Sequence, residues 1–258
     1  MKTIKEITEQ LQSAKEPEPW MAELSEDSRA GVKAALNRWQ RQYDKNELIK
    51  NAHITKIAFD RSFVRSEEEL VAGVDEAGRG PLAGPVVTAA VILPADTREL
   101  IGLDDSKAIT KQNRERFAEI IKRIAIDYSV HIQPATTIDA MNIYAATRDS
   151  MEQAVNELTV SPHFVIVDAM SLTISCPTAS VIKGDAKSLV VAAASILAKT
   201  ERDAIMDDLH NEFPMYHFIN NAGYGTAKHL EALEEFGPCE HHRRSFEPIK
   251  SMTSERRT

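Results

Sequence analysis

Two β-branched apolar runs, residues 70–74 and 86–93, flank a segment that opens with Asp75 and Glu76 and turns through Gly78, Gly80, Pro81, Gly84 and Pro85. Runs this short, bounded by glycine and proline, read as strands, and two neighbouring strands joined by a turn predict an antiparallel pair. The chain therefore folds around a sheet whose first turn carries two carboxylates. Residues 128–132 predict a third strand, residues 164–167 a buried strand ending in Asp168, and residues 180–182 a strand leading into Lys183-Gly184-Asp185. Helices are expected over 111–126 with Thr110 as the cap, over 137–158, and over the small-residue stretch 189–199. Strands that first follow one another and later alternate with helices define an α/β chain with a mixed sheet and helices on its faces.

The first 68 residues follow a different pattern and are expected to form a helical N-terminal extension, with residues 69–258 as the main domain. Ile4, Ile7 and Leu11 mark a short amphipathic helix, Pro17 and Pro19 break it, and Ser25 or Asp27 is placed to cap a second helix. That second helix carries Val32, Leu36, Trp39 and Tyr43 as an apolar stripe. The stripe is expected to pack within the same chain, and a monomer is expected.

Composition excludes several classes. A net charge of −8 argues against a protein that coats nucleic acid through bulk positive charge. Residues 1–68 and 226–258 are each balanced, so all of the excess acid lies in the middle segment that also holds the strands. No window approaches the roughly 18 apolar residues of a membrane span, and the charged start MKTIKEITEQ has no signal-peptide core, so no membrane association and a cytoplasmic location are expected. Cys176 and Cys239 lack CxxC or zinc-ligand spacing and read as ordinary thiols.

Asp75 and Glu76 follow one apolar strand, Asp168 ends another, and Asp185 follows a third. Strand-end loops of an α/β sheet converge on one side, where four carboxylates would repel one another unless divalent cations neutralised them. Oxygen ligands without His or Cys select Mg²⁺ or Mn²⁺, and such ions keep positions open for water and phosphate oxygens. Two ions suit the in-line displacement of a phosphodiester, so a nuclease is the natural reading and no separate histidine base is needed. A dinucleotide loop is excluded, because Gly78, Gly80 and Gly84 miss the G-x-G-x-x-G spacing and two acids precede them.

The segment Gly73-Val74-Asp75-Glu76-Ala77-Gly78-Arg79-Gly80-Pro81-Leu82-Ala83-Gly84-Pro85-Val86 resembles the signature of the ribonuclease HII family, the type 2 ribonucleases H. Asp105-Ser106-Lys107, Asp168, Lys183-Gly184-Asp185-Ala186-Lys187-Ser188, Ala222-Gly223-Tyr224-Gly225-Thr226 and His242-Arg243-Arg244-Ser245-Phe246 match further family blocks in order. The resemblance covers residues from about 70 to 250, and the chain looks like a long form with an N-terminal extension. It implies a ribonuclease H-like mixed five-stranded sheet flanked by helices. It also implies a metal-dependent endonuclease that cuts at ribonucleotides in an RNA/DNA hybrid or in duplex DNA containing ribonucleotides, leaving 3′-OH and 5′-phosphate ends. Removal of misincorporated ribonucleotides and RNA primers would follow.

By position, the resemblance implies that Asp75, Glu76, Asp168 and Asp185 hold two Mg²⁺ or Mn²⁺ ions. Gly78, Arg79 and Gly80 match the loop that touches the ribonucleotide 2′-OH and nearby phosphates, and Tyr224 matches the tyrosine that packs on the sugar at the RNA–DNA junction. Glycines suit such a loop because they let backbone approach a sugar closely. Lys107 and Lys183, with Lys187, are placed for phosphate contacts. His241 and His242 are not read as ligands. The Arg79 loop favours ribonuclease HII over the sister class HIII, and Ala169-Met170 stands where the family often has a glycine. Two other readings stay open: a non-catalytic hybrid-binding module, and a metal-dependent nuclease or phosphatase without ribose selectivity.

Overall fold

The structure, a computed structural model, describes residues 2–104, 106 and 109–255. The chain divides into two compact units, Met1–Ile54 and Thr55–Thr258. In the first, helix α1 (Ile4–Ser13) starts in a capping box: Thr3 Oγ1 accepts from Glu6 N–H, and Thr3 N–H donates to the Glu6 carboxylate. After the proline break comes α2 (Pro19–Ser25), a helix that the sequence pattern does not announce. Ser25 is consequently the last residue of α2 rather than a cap. Asp27 takes the N–H of Arg29 (2.9 Å) just before the long helix α3 (Ala30–Arg61) begins. Ile7, Leu11, Met21 and Val32 form the buried centre of this unit, with Leu36 and Trp39 of the expected stripe packed against it. The Trp39 indole N–H donates to the Ala14 carbonyl, and Tyr43 stacks on its ring.

The second unit contains the expected five-stranded mixed sheet, in the order β3-β2-β1-β4-β5. Strand β1 (Val71–Ala77) pairs antiparallel with β2 (Val86–Ile92), which pairs antiparallel with β3 (Asp127–Gln133) after helix α4 (Lys111–Ile124), capped by Thr110 as expected. Helices α5 (Ala135–Met141) and α6 (Ile143–Asn156) lead to β4 (Phe164–Asp168), parallel to β1, and to β5 (Thr178–Val181), parallel to β4. A short helix α7 (Gly184–Lys187), the long α8 (Leu189–Glu212), then α9 (Phe218–Asn221), α10 (Ala227–Phe236) and α11 (Ile249–Glu255) complete the unit.

Alternation along the strands divides the core between two faces. Ala89, Val91 and Ile166 face α8 and α4, where Val190, Ala193, Ile196, Phe117 and Ile121 bury them. Ala72, Val74, Ala90, Ile92, Val165 and Val167 face α6, against Met151, Ala154 and Val155. Ile57 and Phe59, from the last turns of α3, also pack on the first of these clusters.

Three local expectations are corrected. The single helix expected over 137–158 is two helices, because Asn142 turns into the left-handed region (φ 74°) and its side chain caps α6 by accepting from Ala145 N–H (3.0 Å). Helix α8 continues beyond the small-residue stretch to Glu212, with Arg202, Met206 and Leu209 buried along one side. Asp75 and Glu76 lie inside β1 rather than after it, since pairing with Ala89 and Thr88 carries the strand past them.

Candidate active site

Parallel pairing of β1 with β4 aligns Val74 with Val167, so the next residues, Asp75 and Asp168, emerge side by side at one end of the sheet. Asp75, Glu76 and Asp168 each offer an oxygen within 4.8 Å of the others, and among the described residues they are the only such group of metal-ligating side chains. Asp75 is buried, and its Oδ1 accepts from Glu76 N–H (2.7 Å). Burial pushes its carboxyl well above the ordinary range, with the charges of Glu76 and Asp168 adding to the rise. Burial also raises Glu76, against the opposing pull of Arg79, whose guanidinium lies 3.3 Å from Glu76 Oε1. The second oxygen, Glu76 Oε2, is buried without a hydrogen-bond partner among the described residues. An orphaned acceptor beside two further carboxylates fits a hard divalent cation, which would satisfy the oxygen and cancel the repulsion together.

Asp168 is held by Gly184 N–H, which donates to its Oδ1 (2.6 Å). Its neighbour Ala169 has φ 46°, in the region where a Cβ costs about 1–2 kcal/mol. Ala169→Gly is expected to stabilise the chain by about 0.5–1 kcal/mol after the extra chain entropy of glycine is subtracted, and to raise the melting temperature by about 2 °C. A thermal melt checks this, and a lower melting temperature would contradict it.

Asp185 sits on α7, one residue beyond the glycine that holds Asp168, but outside the three-carboxylate group. Its Oδ1 accepts from Ala186 N–H (2.8 Å) and its carbonyl from the Lys56 ammonium (3.2 Å). Lys56, buried, also donates to the Leu103 carbonyl and to Asp104 (3.0 Å). Sequence reading missed this brace, because Lys56 and Asp185 are 129 positions apart and Lys56 falls in the segment assigned to the extension.

The glycine loop and the Tyr224 turn meet. A Cβ on Gly80 would lie 3.4 Å from the Tyr224 ring, and that ring is half exposed beside it. Gly78 has φ 94°, and the side where its Cβ would project is filled by the Arg202 guanidinium. Lys183 is exposed, in a left-handed conformation just before α7, and Lys187 is exposed at the end of that helix. Lys107 lies outside the described residues. His242 is buried: its Nδ1 accepts from Cys239 N–H (3.0 Å), its Nε2 lies 3.0 Å from His229 Nε2, and His229 Nδ1 is 2.9 Å from the Tyr224 carbonyl. Burial and the neighbouring His229 push His242 down to about 3, so the pair is neutral and serves to hold the turn.

Comparison with known proteins matches this architecture. The family described as Ribonuclease HII matches residues 72–249, and the Ribonuclease HII N-terminal domain matches residues 3–64. Curated relatives called Ribonuclease HII include one from Halalkalibacterium halodurans, 47% identical over 99% of this chain and 98% of its own length. Another from Bacillus subtilis is 41% identical over 97% of this chain and 98% of its own. Among solved structures, ribonuclease H2 from Pyrococcus horikoshii OT3 superposes with a TM-score of 0.64 at 27% identity, covering 73% of this chain and 99% of that one. Bst-RNase HIII in complex with Mn²⁺ shares the fold, with a TM-score of 0.56 at 18% identity over 74% of this chain and 71% of that one. No helix among the described residues is long and apolar enough to cross a membrane. With its two matched segments, its sheet order and its converged acids, the chain belongs to the ribonuclease HII family and is a hydrolytic endonuclease of the ribonuclease H class.

Proposed function

We propose that the chain hydrolyses the phosphodiester at ribonucleotides in RNA/DNA hybrids and in ribonucleotide-containing duplex DNA, with Mg²⁺ or Mn²⁺ held by Asp75, Glu76 and Asp168 and approached by Asp185. Convergence of three acids beside a glycine loop and an exposed tyrosine ring is the observation that carries this reading. A pair of such ions supplies an activated water and stabilises negative charge on the reacting phosphate. The protein's own part is positional. Gly184 N–H fixes Asp168, and Arg79 holds Glu76 while presenting a partly exposed guanidinium to a phosphate. Gly80, having no side chain, leaves the Tyr224 ring open to a sugar, and a loop of backbone at that point can test for a 2′-OH. Lys183 and Lys187 are both exposed, and the reading gives them contacts to substrate phosphates. Such an activity serves removal of misincorporated ribonucleotides and RNA primers, with 3′-OH and 5′-phosphate ends.

An end-labelled duplex containing one ribonucleotide, incubated with Mg²⁺, with Mn²⁺ and with EDTA beside an all-DNA duplex, tests the reading. Incision next to the ribonucleotide with either metal is expected, with none in EDTA and the control intact. Equal cutting of the all-DNA duplex would overturn ribose selectivity, and cutting in EDTA would overturn the metal requirement.

A further inference from the structure

Two arginines lie fully buried beneath the glycine loop, and neither makes an ion pair among the described residues. The Arg243 guanidinium donates through Nη1 to the Arg79 carbonyl (2.8 Å), through Nη2 to the Gly78 and Gly84 carbonyls, and through Nε to Gly84 again. The Arg202 guanidinium donates through Nε to the Pro85 carbonyl (3.0 Å), through Nη2 to Ala83 (3.1 Å) and through Nη1 to Ala222 (3.0 Å). A guanidinium offers five N–H donors in a rigid fork, and backbone carbonyls take most of them here.

Loop shape follows from those forks. They draw the carbonyls of residues 78, 79, 83, 84 and 85 inward onto two fixed planes, and Arg202 ties the same plane to the residue before the Tyr224 turn. Gly223 completes the joint, because its carbonyl accepts from Leu82 N–H (2.8 Å) and a Cβ on it would strike the Ala83 carbonyl at 2.4 Å. Gly78 and Gly84, both at positive φ, are bare where Arg202 packs against the first and Met206, with Arg202 beyond it, packs against the second. By contrast, no acceptor among the described residues takes the amides of Arg79 and Gly80. Burial lowers Arg243 to about 9 and Arg202 to about 10, so both are cations at neutral pH, solvated by backbone dipoles in place of a carboxylate.

We propose that Arg202 and Arg243 are positioning residues for ribose selectivity: their forks hold the glycine loop and the Tyr224 turn as one rigid reader, leaving the Arg79 and Gly80 amides turned out to the substrate. The inference rests on the proposed reading of that loop as the ribose-contacting element. A lysine keeps the charge but has one donor atom, so it cannot gather the Gly78, Arg79 and Gly84 carbonyls at once.

The test compares the parent with Arg243→Lys, Arg202→Lys and Arg243→Ala, the last with and without millimolar guanidinium ion, on the single-ribonucleotide duplex and the all-DNA duplex. Melting temperature and Mn²⁺ affinity are measured alongside. Expected for the lysine variants is a fall of at least about tenfold in kcat/KM at the ribonucleotide, mostly through KM, with Mn²⁺ affinity unchanged because no acid has moved. Guanidinium is expected to restore Arg243→Ala at least severalfold. Should Arg243→Ala fail to fold, the two lysine variants carry the test. A folded Arg243→Lys and Arg202→Lys that cut and discriminate like a discriminating parent overturn this inference alone. A parent that cuts both duplexes equally overturns the ribose reading, and this inference with it.

Discussion

Replacing Asp75 with Asn is expected to abolish cleavage and to raise the melting temperature in the same molecule. Asp75 is buried against Glu76 and Asp168, and its carboxyl is held well above its ordinary range by burial first and by those two charges next. Loss of a proposed metal ligand at the centre of the acid cluster should lower the cleavage rate by at least about 10³-fold, equivalent to about 4 kcal/mol of transition-state stabilisation. Stability moves the other way. A carboxyl whose folded pKa lies above its unfolded value favours folding while it is protonated, and that contribution is lost as pH rises through the folded value. At pH 8 in EDTA the parent therefore carries a repulsive site that the neutral amide lacks, and Asp75→Asn should melt a few degrees higher, about 3 °C. The gap should shrink as pH falls toward the ordinary aspartate range, where the parent is protonated too. Saturating Mn²⁺ should also close it, because an ion bound only by the folded parent stabilises that parent. Retained cleavage would remove Asp75 from the site, and a lower melting temperature in EDTA at pH 8 would show that the cluster is not repulsive.

Much of this site is legible in the sequence because its signals are local. An apolar run ended by an acid gives both the strand and the position of the carboxylate, which is how Asp168 is found, and Asp75 and Glu76 announce themselves at the head of a glycine loop. Thr110 is legible as a cap for the same reason. What escapes is decided by partners remote in the chain. Pattern gives no reason for Arg202, midway along a helix, to be buried, since its partners Pro85 and Ala83 lie 117 and 119 positions away. Arg243 sits between histidines and another arginine with no apolar period to mark it as buried, yet it reaches Gly78 across 165 positions. Asn142 breaks a helix through a backbone conformation that periodicity does not encode. Even Gly78, read as a residue that lets a sugar approach, has Arg202 against it, whereas Gly80 is the glycine that faces the Tyr224 ring. Local pattern thus marks which residues can do chemistry, and long-range packing decides which surface each one presents.

The largest loss of stability is expected from Gly73→Ala, two residues before Asp75 in β1. Gly73 pairs with Val91 and Ile166 in the middle of the sheet, where helix α8 crosses β1. A Cβ there would lie 2.1 Å from the Val190 carbonyl carbon, 2.3 Å from Val191 N and 2.4 Å from the Val190 oxygen. All three are backbone atoms, so no side-chain rotation relieves the clash. Nor can the start of α8 retreat freely, because Asp60 accepts from Leu189 N–H (2.9 Å) and Val190 N–H (3.1 Å), and Ser188 accepts from Val191 N–H (3.2 Å). Either the helix lifts from the sheet or β1 bends, and each choice opens the close contact between α8 and β1. Overpacking against fixed backbone should cost about 3–5 kcal/mol, seen as a fall of about 10 °C in melting temperature. Activity measured well below that transition should fall as well, since α8 carries Arg202 beneath the glycine loop and β1 carries Asp75 and Glu76. Urea and thermal unfolding of the purified variant decide it. A fall of less than about 3 °C would mean that α8 can move off the sheet at little cost, and that the close crossing at Gly73 does not hold the acids in place.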